Sequence, residues 1–143
     1  MNTLTIISRV NMENNLFGFL IDNDIQLDIP HKRLIRISTI SSGKMGKAVL
    51  FGSIELSEVT LRLLVFILQH EKGERQSKDE IFKYVWEDAN LSSSNQRLWQ
   101  AINELRLKLS SLGLPHDFIL NTRGAGYSLN SPDVTPLFYK NFN

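Results

Sequence analysis

Amide and guanidinium side chains recur within one short segment of this chain, between positions 96 and 108. These groups distinguish bases, because Asn and Gln pair with adenine and Arg pairs with guanine. Three serines precede the segment, and hydroxyls with free backbone N–H groups at a helix start favour phosphate. The candidate side chains for nucleic-acid contact in this segment are Ser92, Ser93, Ser94, Gln96, Arg97, Trp99, Gln100, Asn103, Arg106 and Lys108.

An apolar stripe through the same segment predicts the helix that would present these side chains. Ser93 and Gln96 match a capping box, and Gly113 is placed to provide a left-handed cap at the far end. A helix fits the major groove of DNA. A solvated face with good caps also explains the pattern, although Trp99 is unusual there because Trp is seldom exposed. The stripe follows the i, i+3, i+4, i+7 spacing in Leu98, Ala101, Ile102, Leu105, Leu109 and Leu112.

A glycine-bearing turn provides a second candidate contact. Short strands flank residues 122–126, and Arg123 stands at the tip between Thr122 and Gly124. A guanidinium there can enter a minor groove, where narrow A·T tracts concentrate negative potential. An ordinary solvent-exposed arginine explains the tripeptide equally well.

The elements upstream must position both candidates. Ser57 is a predicted N-cap for a first helix, and Ser77 with Glu80 matches a capping box that opens a second. The order is strands, three helices and a two-stranded hairpin, which predicts the α+β class and a winged helix-turn-helix plan with an N-terminal antiparallel sheet and a C-terminal β-hairpin wing. The predicted domain covers residues 16–130, with an N-terminal extension at 1–15 and a C-terminal tail at 131–143. The predicted sheet strands are Phe17–Ile21, Ile25–Ile29, Leu34–Ser38 and Ala48–Phe51.

Composition limits the remaining possibilities. The 143 residues contain no cysteine, so a disulfide framework, a thiolate zinc site and cysteine catalysis are excluded. The net charge of +1 creates no strong global field, although residues 55–91 sum to −3 and residues 92–126 to +2. No apolar run approaches the roughly 20 residues of a membrane span, and no signal peptide opens the chain.

The sequence contains no enzyme motif. We therefore expect no catalysis, no cofactor and no metal site. His31, His70 and His116 are scattered without metal spacing, and no G-x-S-x-G elbow occurs. The glycines at 124 and 126 follow a strand but open no helix, so they form no dinucleotide loop.

Two stretches together resemble one known family. Residues 121–129, NTRGAGYSL, are similar to the T-x-R-G-x-G-Y ending of OmpR/PhoB-type winged-helix DNA-binding domains. Residues 98–109, LWQAINELRLKL, resemble the family's recognition helix, particularly in its ToxR/CadC-like branch. Residues 77–86 resemble its second helix, and the likeness covers about residues 16–130.

The resemblance implies a role for each matching position. It places Gln96, Gln100 and Asn103 toward the major groove and Arg123 in the minor groove. It implies that Arg97, Arg106 and Trp86 approach DNA phosphates, and that Thr122 contacts phosphates as well. The loop that touches RNA polymerase in relatives matches Asp88, Ala89, Asn90 and Leu91.

The resemblance also implies partners. We expect a bacterial transcription regulator that binds A·T-rich promoter DNA as a tandem or symmetric homodimer. Glu104 stands where many relatives carry a basic residue, which lowers the expected phosphate affinity. In the ToxR/CadC-like branch a membrane segment follows the winged helix, so the chain is expected to be either the cytoplasmic domain of an inner-membrane regulator or a soluble cytoplasmic regulator.

Two other functions stay open. A winged-helix protein-interaction module without direct DNA binding is expected if Trp99 and apolar neighbours dominate the exposed face of the third helix. RNA binding would need aromatic stacking platforms on a sheet, for which Phe17 and Phe19 are candidates.

Overall fold

The computed structural model describes residues 15–41, 46–69, 76–122, 126–130 and 133–140, and only the backbone at 39–41, 47–50 and 122. Strands come first, helices follow, and strands close the described part of the chain. The second helix continues through a π-helical turn at Phe82–Trp86 and a 3-10 turn at Glu87–Ala89, and another 3-10 turn covers His116–Phe118. The elements are β1 (Leu16–Ile21), β2 (Ile25–Asp28), β3 (Arg33–Ser41), β4 (Lys47–Glu55), α1 (Glu58–Leu68), α2 (Lys78–Ile81), α3 (Asn95–Ser111), β5 (Ile119–Thr122), β6 (Gly126–Leu129) and β7 (Val134–Phe138).

Five strands form an antiparallel sheet in the order β4-β3-β2-β1-β7. The four N-terminal strands were all predicted from the sequence, and β3 and β4 extend further than expected. The fifth strand was not predicted, because β7 lies in the segment expected to be a tail. It pairs with β1 in an antiparallel register that sets Phe19 opposite Pro136.

Burial alternates along β2 and shows which face of the sheet packs against the helices. Ile25 and Leu27 are buried, whereas Gln26 and Asp28 are half-buried. Phe19 on the neighbouring strand is also buried, so it offers no stacking platform for RNA. Phe17 is half-buried and packs at a tilt against Tyr139, with 6.3 Å between ring centroids.

Helix α1 is the centre of the core. Ser57 caps its start, since Ser57 Oγ accepts a hydrogen bond from the Thr60 backbone N–H at 3.2 Å. Most of the helix is buried on all sides, as its continuous apolar sequence predicts. Its buried apolar residues are Leu61, Leu63, Leu64, Val65, Phe66, Ile67 and Leu68.

Helix α2 is short because its hydrogen-bonding changes after one turn. Ser77 Oγ accepts from the Glu80 backbone N–H at 3.2 Å, which confirms the predicted start. Arg62 of α1 then satisfies carbonyls near the far end: its Nε donates to Val85 O at 3.2 Å, and its Nη2 donates to Tyr84 O. The guanidinium also lies over the Tyr84 ring, 4.8 Å from its centroid. Arg62 therefore holds the π-helical turn against α1.

The β5–β6 hairpin is fixed to the segment that precedes α2. Gln76 and Tyr127 exchange two backbone hydrogen bonds, at 2.7 and 3.0 Å. Gly126 allows this approach, since it has a φ of +100° and an added Cβ would lie 2.1 Å from Gln76 O. None of the helices in the described ranges has the length and apolar character needed to cross a bilayer.

Candidate nucleic-acid interface

Helix α3 presents most of the predicted contact residues, and its start differs from the prediction by one residue. Ser94 is the N-cap, with its Oγ accepting from the Arg97 backbone N–H at 3.1 Å. Ser93 instead donates from its hydroxyl to Glu87 Oε2 at 2.9 Å. The predicted capping box of Ser93 and Gln96 is therefore wrong, and Gln96 takes no part in the cap.

The other end of α3 confirms the predicted glycine cap. Gly113 has a φ of +93°, and its backbone N–H donates to Ser110 O at 2.9 Å. Leu114 N–H donates to Leu109 O at 3.0 Å, which completes a Schellman motif. Between the two caps the predicted apolar stripe is buried against the rest of the domain.

The exposed side of α3 carries a ridge without formal charge. Gln96 and Gln100 are exposed, and neither side chain is hydrogen-bonded to another described residue. Asn103 is half-buried and donates from Nδ2 to Trp99 O at 2.9 Å. Its Oδ1 accepts no hydrogen bond from another described residue. At about 100° per residue these three amides fall within about 60° of arc. They form the surface that we call the amide ridge, made of Gln96, Gln100 and Asn103.

Cations flank the amide ridge, and each of them is already bonded within the domain. Arg97 Nη1 donates to Ser92 O, and Arg106 Nη2 donates to Ile119 O at 2.6 Å. Lys108 Nζ donates to Glu55 O at 2.9 Å and pairs with Glu104 at 3.2 Å. Lys108 therefore faces β4 and not the exposed ridge, contrary to the prediction that groups it with the contact residues.

Arg106 is the link between α3 and the hairpin. Its guanidinium also lies near the Tyr127 hydroxyl: burial raises the pKa of Tyr127, and the positive charge of Arg106 offsets part of that rise. Thr122 ends β5, opposite Gly126. Arg123, which follows Thr122 in the sequence, lies outside the described residues.

Two further predicted groups sit around the start of α3. Trp86 is only 3% exposed and packs edge-on against Phe82, with 6.2 Å between ring centroids, so its indole belongs to the core and we do not carry it into the proposed contacts. The expected polymerase loop turns sharply, with Asn90 in the left-handed region at φ 60°. In that loop Asp88 and Ala89 are half-buried, whereas Asn90 and Leu91 are exposed.

The structure adds two residues that sequence reasoning missed, Leu107 and Arg36. Leu107 is 73% exposed, on the same helix as the predicted contact residue Trp99, which is 66% exposed. The position of Leu107 outside the buried stripe was the available signal. Arg36 of β3 fastens the C-terminal end of α3, donating from Nη1 to Leu112 O while it pairs with Asp24 at 3.0 Å. Only the folded chain brings Arg36 to Leu112, so no local pattern indicates this contact.

A groove of about 500 Å³ lies where β3 and β4 meet the end of α3. Its polar side chains are Arg36, already paired with Asp24, and the hydroxyls of Ser38 and Ser111. Within the described ranges no three His, Asp or Glu side chains gather where they could hold a metal ion.

Comparisons with known proteins agree with this geometry. The family described as "Transcriptional regulatory protein, C terminal" matches residues 52–129, which is more than half of the chain. The chain belongs to that family, the OmpR/PhoB-type winged-helix domains. A solved structure, the DNA-binding domain of E. coli CadC, has a TM-score of 0.61 and 23% sequence identity, and the match covers 88% of this chain and 99% of that one. A search of curated proteins found no match.

Membership in the OmpR/PhoB-type family confirms the predicted winged-helix fold and makes the chain a DNA-binding domain of a transcription regulator. The family is not an enzyme class. The similarity to the CadC structure shows that the two domains share this fold. In family terms α3 is the recognition helix and the β5–β6 hairpin is the wing.

Proposed function

We propose that this domain binds double-stranded promoter DNA sequence-specifically, with α3 in the major groove and the wing tip at the adjacent minor groove. The observation that carries the proposal is the amide ridge: Gln96 and Gln100 are exposed without a hydrogen bond to another described residue, and the other face of their helix is anchored in the core. Glutamine and asparagine are suited to adenine, which favours A·T-rich sites.

Phosphate contacts come from the flanks of the helix in this proposal. Arg97 and Arg106 lie on opposite sides of the amide ridge, about 160–180° apart in projection. Each donates to one backbone carbonyl and retains further guanidinium N–H groups for a phosphate. Ser92, Ser93 and Ser94 at the helix start and Thr122 with Arg123 in the wing complete the proposed set.

The proposed set contains few free cations, so one domain binds DNA weakly. We therefore propose tandem or symmetric homodimers on repeated half-sites, since two modules bury more surface than one. The exposed residues Asn90 and Leu91 are the proposed contact with RNA polymerase. The domain would act in the cytoplasm, alone or as part of a membrane-anchored regulator.

The test is a fluorescence-anisotropy titration with pooled promoter-length duplexes at two salt concentrations. We expect saturable binding that weakens with salt and weakens again in Arg123→Ala. Arg33→Ala is a matched control, because Arg33 is an exposed cation that pairs with Glu55 on the sheet and is not one of the proposed contacts. Binding that is equally reduced in both variants would contradict the proposed wing contact.

A protein-interaction module is the second candidate, and the 66% exposure of Trp99 favours it. The same titration separates the two functions. A folded protein that binds no duplex at low salt, while Trp99→Ala and Leu107→Ala abolish binding to a protein partner, would replace the DNA-binding proposal.

A further inference from the structure

Leu107 is an apolar side chain in line with the amide ridge. It follows Gln96 by eleven positions, Gln100 by seven and Asn103 by four. At about 100° per residue these offsets place Leu107 within about 40° of each amide. The line from Gln96 to Leu107 is about 17 Å long, which equals about five base pairs at 3.4 Å each.

On the surface of α3 itself, Leu107 is not part of an apolar patch. Residues three and four positions away are its neighbours on a helix surface. Those neighbours are Asn103, Glu104, Ser110 and Ser111, all polar. A protein-binding hot spot is a cluster of large apolar groups in a pocket, whereas Leu107 is a single isobutyl group among polar side chains.

The major groove of DNA presents one apolar group that a single leucine side chain fits. The C5-methyl of thymine is the apolar group that a base pair presents there, and side chains without hydrogen-bonding groups contact it. Burying Leu107 against it would remove apolar surface from water on both partners.

We propose that Leu107 is a specificity-determining residue that contacts a thymine methyl group, an inference that rests on the proposed function. The amide ridge supplies hydrogen bonds to adenine, and Leu107 distinguishes thymine from cytosine at the end of the same line. Because all three cations of α3 are bonded within the domain, a larger share of the discrimination rests on such uncharged contacts.

The experiment removes the methyl without changing base pairing. A duplex selected from a random pool by the wild-type domain is resynthesised with each thymine in turn replaced by uracil. Leu107→Ala is the variant, and it should fold, since Leu107 is exposed and alanine favours helix. Ile37→Ala is the matched control, because Ile37 is 57% exposed on β3, on the face opposite to Arg36.

We expect the wild-type domain to lose about fourfold in affinity at one thymine, equivalent to about 0.8 kcal/mol for one methyl. Leu107→Ala should bind the original duplex more weakly and show no further loss at that position, whereas Ile37→Ala should behave as wild type. Circular dichroism checks that each variant is folded.

Two results would overturn the proposal while DNA binding stands. One is wild-type affinity that no uracil replacement changes. The other is a loss on uracil that persists undiminished in Leu107→Ala, since another side chain would then contact the methyl. If the folded domain selects no duplex at all, the proposed function fails together with this inference.

Discussion

The guanidinium of Arg106 donates a hydrogen bond from Nη2 to the carbonyl oxygen of Ile119, across 2.6 Å. Arg106 lies on α3 and Ile119 is the first residue of the wing, so this bond joins the two elements that are proposed to enter neighbouring grooves. In the proposed complex, the distance between recognition helix and wing decides whether both elements reach DNA together. The proposed function therefore makes this bond a link between domain stability and the geometry of DNA binding.

Replacing Arg106 should loosen that geometry. We expect Arg106→Met to destabilise the domain by about 1–3 kcal/mol, because it removes a charge-assisted hydrogen bond to the carbonyl of the buried residue Ile119. DNA affinity should fall, and adding Arg123→Ala should then cost less than it does in the wild type. Urea unfolding and anisotropy titrations measure the two effects.

Arg33→Met is the control for the Arg106 experiment, since Arg33 is an exposed cation in a surface ion pair. Equal and fully additive losses for Arg106→Met and Arg123→Ala would show that Arg106 does not position the wing.

Tyr84 gives the fold a dependence on alkaline pH. Burial raises its pKa from 10 to about 12, although the positive charge of Arg62 lowers it. Between pH 10 and 12 the unfolded chain has released this proton and the folded chain retains it, so the free energy of unfolding decreases as pH rises. We expect Tyr84 to account for roughly 1–3 kcal/mol of that decrease.

Tyr84→Phe should remove this part of the pH dependence. Urea midpoints at pH 9 and pH 11.5 measure it, and absorbance of tyrosinate reports the ionisation directly. Tyr139→Phe is the control, since Tyr139 is exposed and its loss changes only a surface hydroxyl. An equally steep loss of stability in Tyr84→Phe would contradict the assignment.

The close approach of the wing to Gln76 depends on Gly126. In Gly126→Ala a Cβ would meet the Gln76 carbonyl oxygen at 2.1 Å, in a backbone conformation that alanine rarely adopts. We expect a loss of more than about 2 kcal/mol, because the steric conflict adds to the backbone strain. Gly46→Ala isolates the strain alone, since Gly46 also has a positive φ but no atom within 4 Å of the added Cβ. Thermal unfolding of the two variants compares them, and equal losses would refute a steric cause.

Local signals were sufficient to predict much of the fold. Ser57, Ser77 and Gly113 act as caps where the sequence indicates, because each satisfies backbone groups within a few residues. At α3 the choice between Ser93 and Ser94 depends on Glu87, which takes the Ser93 hydroxyl. That preference involves a side chain six positions away, which the capping pattern does not include.

Contacts distant in sequence account for the other differences. Pro136 lies in the segment that was expected to be a tail, yet that segment contains β7, an edge strand, and an edge tolerates proline because its missing N–H can face outward. Lys108 belonged to the polar face of α3 by composition, but β4 offers it the Glu55 carbonyl. Such partners are known only when the chain is folded.

Because the cations of α3 are hydrogen-bonded within the domain, we can predict how steeply DNA affinity depends on salt. Each phosphate that a protein neutralises contributes about −0.9 to the slope of log K against log salt. With Lys108 paired to Glu104, the proposed contacts contain three cations, Arg97, Arg106 and Arg123, so we expect a slope of about −2 to −3 per domain. Anisotropy titrations at four or more salt concentrations measure it.

Two variants separate base contact from phosphate contact in that slope. Gln100→Ala should weaken binding to the selected site by about 5- to 100-fold with an unchanged slope, because the amide contacts a base. Arg97→Ala should weaken all duplexes alike and reduce the slope by about 1. Gln26→Ala, on the sheet, is the control for a lost amide. If Gln100→Ala changes the slope, or lowers affinity for unselected duplexes as much as for the selected one, the amide ridge does not distinguish bases and the proposed orientation of α3 is wrong.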